Sequence, residues 1–273
     1  MKLPISLSLL CLIFLSSCNQ AIKNDPPSAV ADSTITRNQN PNWIIKTIQE
    51  QWQTGSCDIK DESCFEISVS YPQFKEDDSK LLKRVNQSIE KTILKELQAY
   101  KFSEEKEATG KNFDQIVAEI FVEFNQLLED SPRLIANHWT IELNGEKSSE
   151  TDNTITVALA VYSYTGGAHP NSYKTYLNFN KATGELVELT DMITDRAAVL
   201  KLAEQKFREA YDLTPDQPLT AAGLFENQLT LPENFAITPE GLLLFYNTYE
   251  IAPYVAGTYQ LMLPWEQLSG IDQ

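Results

Sequence analysis

Between Thr154 and Asn180 the side chains alternate with period two, and the alternation is broken once, by Gly166-Gly167-Ala168-His169-Pro170. Ile155, Val157, Leu159 and Val161 fall on one side, and Thr156, Ala158, Ala160, Tyr162 and Tyr164 on the other. Past the break, Tyr173, Thr175, Leu177 and Phe179 alternate with Lys174, Tyr176 and Asn178. A helix would scatter this apolar set around its axis, whereas an extended strand gathers it on one face. Ala182-Thr183-Gly184 makes a second turn and Leu186-Val187 begins a short return. Residues 154–189 therefore read as an antiparallel meander.

The rest of the chain decides what covers that sheet. Cys64 to Tyr71 alternates and is closed by Pro72, and Trp139, Ile141 and Leu143 alternate before a polar break at 145–153. Between them lie two helical patterns. Leu82, Val85, Ile89, Ile93 and Leu97 recur at three- and four-residue steps behind a capping Ser79. Phe113, Ile116, Ile120, Phe124 and Leu127 define a second helix over 112–129, stopped at Asp130-Ser131-Pro132. Asp195 caps a third over 196–211, and short strands follow at 234–237, 242–248 and 258–263, with a Pro239-Glu240-Gly241 turn. Helices and antiparallel strands in blocks mean α+β, not a doubly wound sheet. The expected layout is a smaller N-terminal helix–strand subdomain over 41–150 and a C-terminal α+β domain over 151–273.

The first residues speak to location. Lys2 precedes thirteen nearly all apolar residues, Leu3 to Leu15. That is short of the ~20 a spanning helix requires and has the length of a signal-peptide core. Leu15-Ser16-Ser17-Cys18 resembles a bacterial lipobox. The resemblance implies a signal peptide over 1–17 and a lipid on the Cys18 thiol. The competing reading is an ordinary signal peptide that ends near a cysteine. Asn19, where an Asp would retain a lipoprotein in the inner membrane, favours the periplasmic face of the outer membrane. Residues 18–40, rich in Asn, Pro, Ser, Asp and Thr, read as a flexible tether. Cys57 and Cys64 remain as an even pair, and in an exported chain a local disulfide is the default. A metal site is the alternative, and no His or second Cys pair lies nearby.

Charge narrows the partners. The net formal charge is −16. Removing residues 1–17 takes away one lysine and no acid, leaving 21 basic against 38 acidic residues, or −17. Basic patches are absent, which argues against nucleic acid. An acidic surface aids solubility, repels anionic lipid and suits a basic partner.

Tyr162-x-Tyr164-Thr-Gly166-Gly167-Ala-His169 is similar to the signature turn of a family named only as a domain of unknown function. Gly241-x-x-x-Phe245-x-Asn-x-Tyr249-x-Ile-Ala-Pro253-Tyr254-x-Ala-Gly257 resembles its second signature. Tyr71-Pro72 and Val85-Asn86-x-x-Ile89 are similar to the smaller domain that usually precedes it. The resemblance covers about 60–268. The family includes the lysozyme-binding extracellular part of RsiV-type anti-sigma factors and the non-catalytic N-terminal region of PdaC-type peptidoglycan deacetylases. It implies a cell-envelope module that binds something. Neither signalling nor deacetylation carries over: after residue 17 there is no long apolar run, and His138 and His169, the only histidines, stand 31 residues apart.

The candidate ligand-binding residues are Tyr162, Tyr164, Gly166, Gly167, His169, Tyr176, Tyr249 and Tyr254. Aromatic faces beside a histidine can contact a sugar ring or a protein. The competing reading is structural: Gly166 and Gly167 supply positive φ, Pro170 holds His169 extended, and Tyr246–Tyr254 packs on the turn and holds the domain shut. No nucleophile elbow, P-loop, dinucleotide fingerprint or H-E-x-x-H is present. The expectation is no enzyme, no cofactor and no metal. The leading reading is a lipid-anchored envelope binding module for a cell-wall glycan or a cationic wall-active protein such as a lysozyme. A structural or assembly lipoprotein and a carboxylate-dependent wall hydrolase are the alternatives.

Overall fold

The computed structural model describes residues 43–58, 62–75, 79–103, 110–130 and 138–269. The expected signal peptide, Cys18 and the tether lie outside them. Among the described residues no helix is long and apolar enough to cross a membrane.

Five strands form the first sheet in chain order: β1 (Ile45–Gly55), β2 (Cys64–Phe74), β3 (His138–Glu150), β4 (Thr154–Tyr164) and β5 (Asn171–Asn180). Between β2 and β3 the chain makes α1 (Lys80–Gln98) and α2 (Phe113–Asp130). That helical crossover returns the chain to the end of β2 from which it started, so β2 and β3 are parallel while the other pairs are antiparallel. The apolar sides of α1 and α2 meet the apolar side of the sheet in one core that includes Phe65, Ile67, Ile89, Ile120, Ile141, Val157 and Phe179.

The helix starts follow the sequence. Ser79 Oγ accepts the Leu82 N–H at 3.3 Å, and Asp195 Oδ1 accepts the Ala198 N–H at 3.0 Å. Asn112 and Gln115 cap α2 reciprocally, each side chain accepting the other's backbone N–H at 3.0 Å. Asn86, buried on α1, both accepts from and donates to the Phe74 backbone at 2.8 Å, which pins the helix to the end of β2.

A second core gathers α3 (Leu189–Met192), α4 (Arg196–Ala210), α5 (Trp265–Leu268) and a three-stranded antiparallel sheet. Its strands are β6 (Phe235–Ile237), β7 (Gly241–Tyr246) and β8 (Tyr259–Pro264). Phe207 of α4 stacks on Tyr259 at 5.7 Å. The α+β class holds. The expected division at 150/151 falls inside the β3–β4 hairpin of one continuous sheet; the cores part only after β5. The polar stretch 145–153 misled because β3 continues through it to Glu150, with a register shift between Lys147 and Ser149. Strand β1 was not expected at all.

The two sheets meet through buried polar groups. Asn178 on β5 is 2% exposed. Its Nδ2 donates to the Phe235 carbonyl at 2.8 Å, and its Oδ1 accepts from the Ile237 N–H at 2.9 Å and the Thr156 hydroxyl at 2.8 Å. Ser149 Oγ also donates to the Ile237 carbonyl. Asn178→Ala strands the Phe235 carbonyl and the Ile237 N–H, and we expect a loss of about 3–5 kcal/mol, read by urea unfolding.

The predicted disulfide is present: Cys57 and Cys64 are bonded across seven positions, with Cα atoms 4.8 Å apart. Closing so short a loop restricts the unfolded chain by about 2–3 kcal/mol. Reduction should lower the unfolding free energy by that amount; an unchanged urea midpoint would contradict it.

Candidate functional site

The signature turn lies between β4 and β5. Gly166 has φ 81°, and a Cβ there would approach Trp139 Nε1 to 2.9 Å, so the position excludes any side chain twice over. Gly167 does not have positive φ and its surroundings are open. The expectation that both glycines serve left-handed backbone is therefore corrected: one glycine makes the turn.

His169 stacks on Tyr254 with ring centroids 4.1 Å apart and planes at 24°, and Tyr249 follows at 5.7 Å from Tyr254. The Pro170 carbonyl ties this row together. It accepts the Tyr254 hydroxyl at 3.0 Å and lies 2.9 Å from His169 Nδ1. A carbonyl only accepts, so this contact places the ring proton on Nδ1. The 246–254 segment thus packs on the turn.

Its hold continues along β5. Asn247 Oδ1 accepts the Lys174 N–H at 2.8 Å, and its Nδ2 donates to the Lys174 carbonyl at 3.0 Å. Asn234 bonds the same carbonyl at 2.7 Å and accepts the Tyr176 N–H at 2.9 Å. Thr248 donates to the Ser172 carbonyl at 3.3 Å. Side-chain amides here do what a sixth strand would do for the free edge of β5.

Tyr176 turns away from the histidine. Its ring meets Phe245 edge-on at 5.6 Å, with Lys174 Nζ 5.8 Å from both centroids. Burial, then the Glu146 charge, raises its pKa above the usual phenol range. Tyr162 projects from the face of β4 that carries Thr156 and Ala158, and is 38% exposed. Tyr164 sits two residues further, opposite Thr140.

Beside Tyr162 the β4–β5 hairpin and the 245–258 segment enclose an open cleft of about 250 Å³. Phe245, Asn144, Asn247, Lys174 and Thr258 share its walls. Of the predicted residues only Tyr162 lines it. Lys174 stood in the expected β5 alternation and Asn247 in the second signature, but neither of them, nor Asn144, was marked in the sequence as a ligand group. The only group of His, Cys, Asp or Glu side chains close enough to hold a metal, among the described residues, is Cys57, Cys64 and Glu66, and both sulfurs are committed to the disulfide.

Residues 59–172 match the family model described as Deacetylase PdaC, and residues 189–266 match the one described as Protein of unknown function (DUF3298). Two family models thus match successive segments of the chain, the glycine–histidine turn falling inside the first and the Gly241–Gly257 signature inside the second. It is similar to a solved DUF3298-family protein from Bacteroides fragilis NCTC 9343, at 20% identity, over 83% of this chain and 93% of that one, with a TM-score of 0.63. A DUF3298 family protein from Pseudomonas aeruginosa PAO1 is similar at 18% identity, over 84% and 94%, with a TM-score of 0.57. At these identities the likeness is one of fold. No functionally curated protein matches the chain.

Tyr249 is held at φ 67°, an unusual conformation for a bulky side chain, and is 54% exposed. Tyr249→Gly relieves that strain and gives up only the outermost ring of the stack. It should leave stability unchanged or raise it by up to about 1 kcal/mol in urea unfolding; a loss of more than that would show that the ring holds the segment down.

Proposed function

We propose that this chain is a lipid-anchored binding module of the cell envelope, tethered through Cys18 at the periplasmic face of the outer membrane, and that its ligand is a cell-wall glycan. The observation that carries the ligand class is the seam cleft. An exposed tyrosine face is the kind of surface on which a sugar ring stacks, and Asn144, Asn247 and Thr258 offer the donors and acceptors that ring hydroxyls require. The pieces come from both sheets, so the docking of one sheet on the other builds the site. The tether over residues 18–40 lets the domain reach wall material away from the membrane.

The module binds without turnover in this reading. Of the two histidines, His169 is engaged with Tyr254 and Pro170, and His138 is exposed at the start of β3. The PdaC-type match is accordingly read as the binding part of that architecture. A cationic wall-active protein is the second reading, supported by the acidic net charge and by Glu66, Glu142 and Glu146 on the polar face of the first sheet.

Residues 41–273 incubated with purified peptidoglycan should sediment with it, and Tyr162→Ala should reduce retention by about tenfold, the loss of one aromatic platform. Equal retention of the variant would remove the cleft from the glycan site. A low-salt sizing-chromatography complex with lysozyme that survives Tyr162→Ala, with no sedimentation on peptidoglycan, would favour the second reading.

A further inference from the structure

The seam cleft differs in charge from the rest of this chain. Four other clefts each carry at least two acidic side chains, as Glu150 and Asp152 do beside Lys181. The seam cleft has no Asp or Glu on its wall, although the chain has 38 acidic residues against 22 basic. Its one charged side chain is Lys174. Lysines at the other clefts are neutralised: Lys101 and Lys111 pair with Glu119, and Lys181 with Glu150. Among the described residues the Lys174 ammonium forms no ion pair.

The sheet register sets where that charge stands. Asn144 on β3, Ala160 on β4 and Lys174 on β5 are opposite one another in adjacent strands. They make one row across the cleft, with an amide at one end, a methyl in the middle and an ammonium at the other. Lys174 Nζ lies 5.8 Å from the Tyr176 and Phe245 ring centroids, so apolar surface displaces part of its hydration. A charge with less water around it attracts an anion more strongly. Asn247 bonds both the N–H and the carbonyl of Lys174, and Asn234 bonds the same carbonyl, so the ammonium swings from a fixed point. Glu142 and Glu146 flank Asn144 on the same sheet face. They stand two strand spacings from β5, about 10 Å, beyond the ~8 Å over which exposed charges act in physiological salt. An anion is therefore repelled at the β3 end of the row and attracted at the β5 end.

We propose that the glycan held in the seam cleft is an acidic one, and that Lys174 receives its carboxylate. The inference rests on the glycan reading of the cleft and adds to it the charge of the ligand, its orientation and the residue that selects it. The sugar ring lies against Tyr162 over the Ala160 methyl, its hydroxyls reach Asn144, and its carboxylate points to β5. One ammonium answers one negative charge, and the hydrogen bond between them is charge-assisted. The negative charge of the rest of the chain repels anions elsewhere on the surface, which leaves Lys174 to decide which glycans are held.

The test is calorimetric titration of the purified full-length chain in zwitterionic detergent micelles. The probes are N-acetylmuramic acid, its methyl ester, N-acetylglucosamine, and N-acetyl-alanyl-alanine, which has a carboxylate but no ring. The acid should bind with a dissociation constant on the order of 1 mM, about tenfold tighter than the ester or N-acetylglucosamine, and tighter than the dipeptide. Lys174→Gln leaves the backbone bonds to Asn234 and Asn247 in place. It should bring the acid down to the level of the ester and leave the ester unchanged, and Lys174→Arg should restore the preference. Lys201→Gln, exposed on α4, should change nothing. Tyr162→Ala should weaken all three sugars alike. Circular-dichroism melting checks that each variant is folded. Equal binding of acid and ester, tighter binding of the dipeptide, or a preference that survives in folded Lys174→Gln would overturn the proposal; if Tyr162→Ala still weakens every sugar, the glycan reading stands without it. An absence of saturable heat with all three sugars overturns the proposal too, and sedimentation with peptidoglycan then decides the glycan reading separately.

Discussion

A buried amide, Asn178, sits at the centre of the polar seam that joins the two sheets of this molecule. A carboxamide offers a donor and an acceptor on one rigid plane, so it can complete two backbone groups of a passing strand at once. Here it completes Phe235 and Ile237 of β6 while Thr156 hydrogen-bonds to its oxygen. With that contact in place, the 245–258 segment lies along β5, and Asn234 and Asn247 close the remaining edge. An apolar interface of the same area would hold as well but would tolerate sliding. Hydrogen bonds between specific backbone groups set one register, and the seam cleft exists only in that register.

This arrangement recasts the glycine–histidine turn. Its glycine answers to Trp139, its proline carbonyl anchors Tyr254, and its histidine is the first ring of a three-ring stack. The turn therefore receives the second signature, and the two segments meet in the fold. The cleft proposed to take the ligand lies beside the turn, where Tyr162 and Asn144 from one sheet face Phe245, Asn247 and Thr258 from the other side.

Much of the fold was legible in the sequence because it rests on periodicity. The β4–β5 hairpin, α1, α2 and α4 carry clean apolar periods and recognisable caps, and they form where expected. Strand β1 was not legible: Ile45, Ile48 and Trp52 are spaced as a helix face would be, and its outward residues are Gln and Thr rather than a strong alternation. It is a strand because β2 offers it an edge, a tertiary cause. The domain division was misplaced for a related reason. A run of polar residues suggested a linker where β3 extends past the core and pairs with β4 through a bulge. The candidate site was half legible. Aromatic residues marked the neighbourhood, but Asn144, Lys174, Asn178, Asn234 and Asn247 matter through what the fold brings to them, and no spacing announces that.

The proposed ligand site is the seam between the two sheets. Hydrogen–deuterium exchange of residues 41–273, with and without soluble peptidoglycan fragments, tests it most directly. A ligand held there should slow exchange at 160–162, 172–174, 245–247 and 258 and leave α4 little changed. Protection confined to other surfaces, or none under conditions in which the fragments are bound, would contradict it.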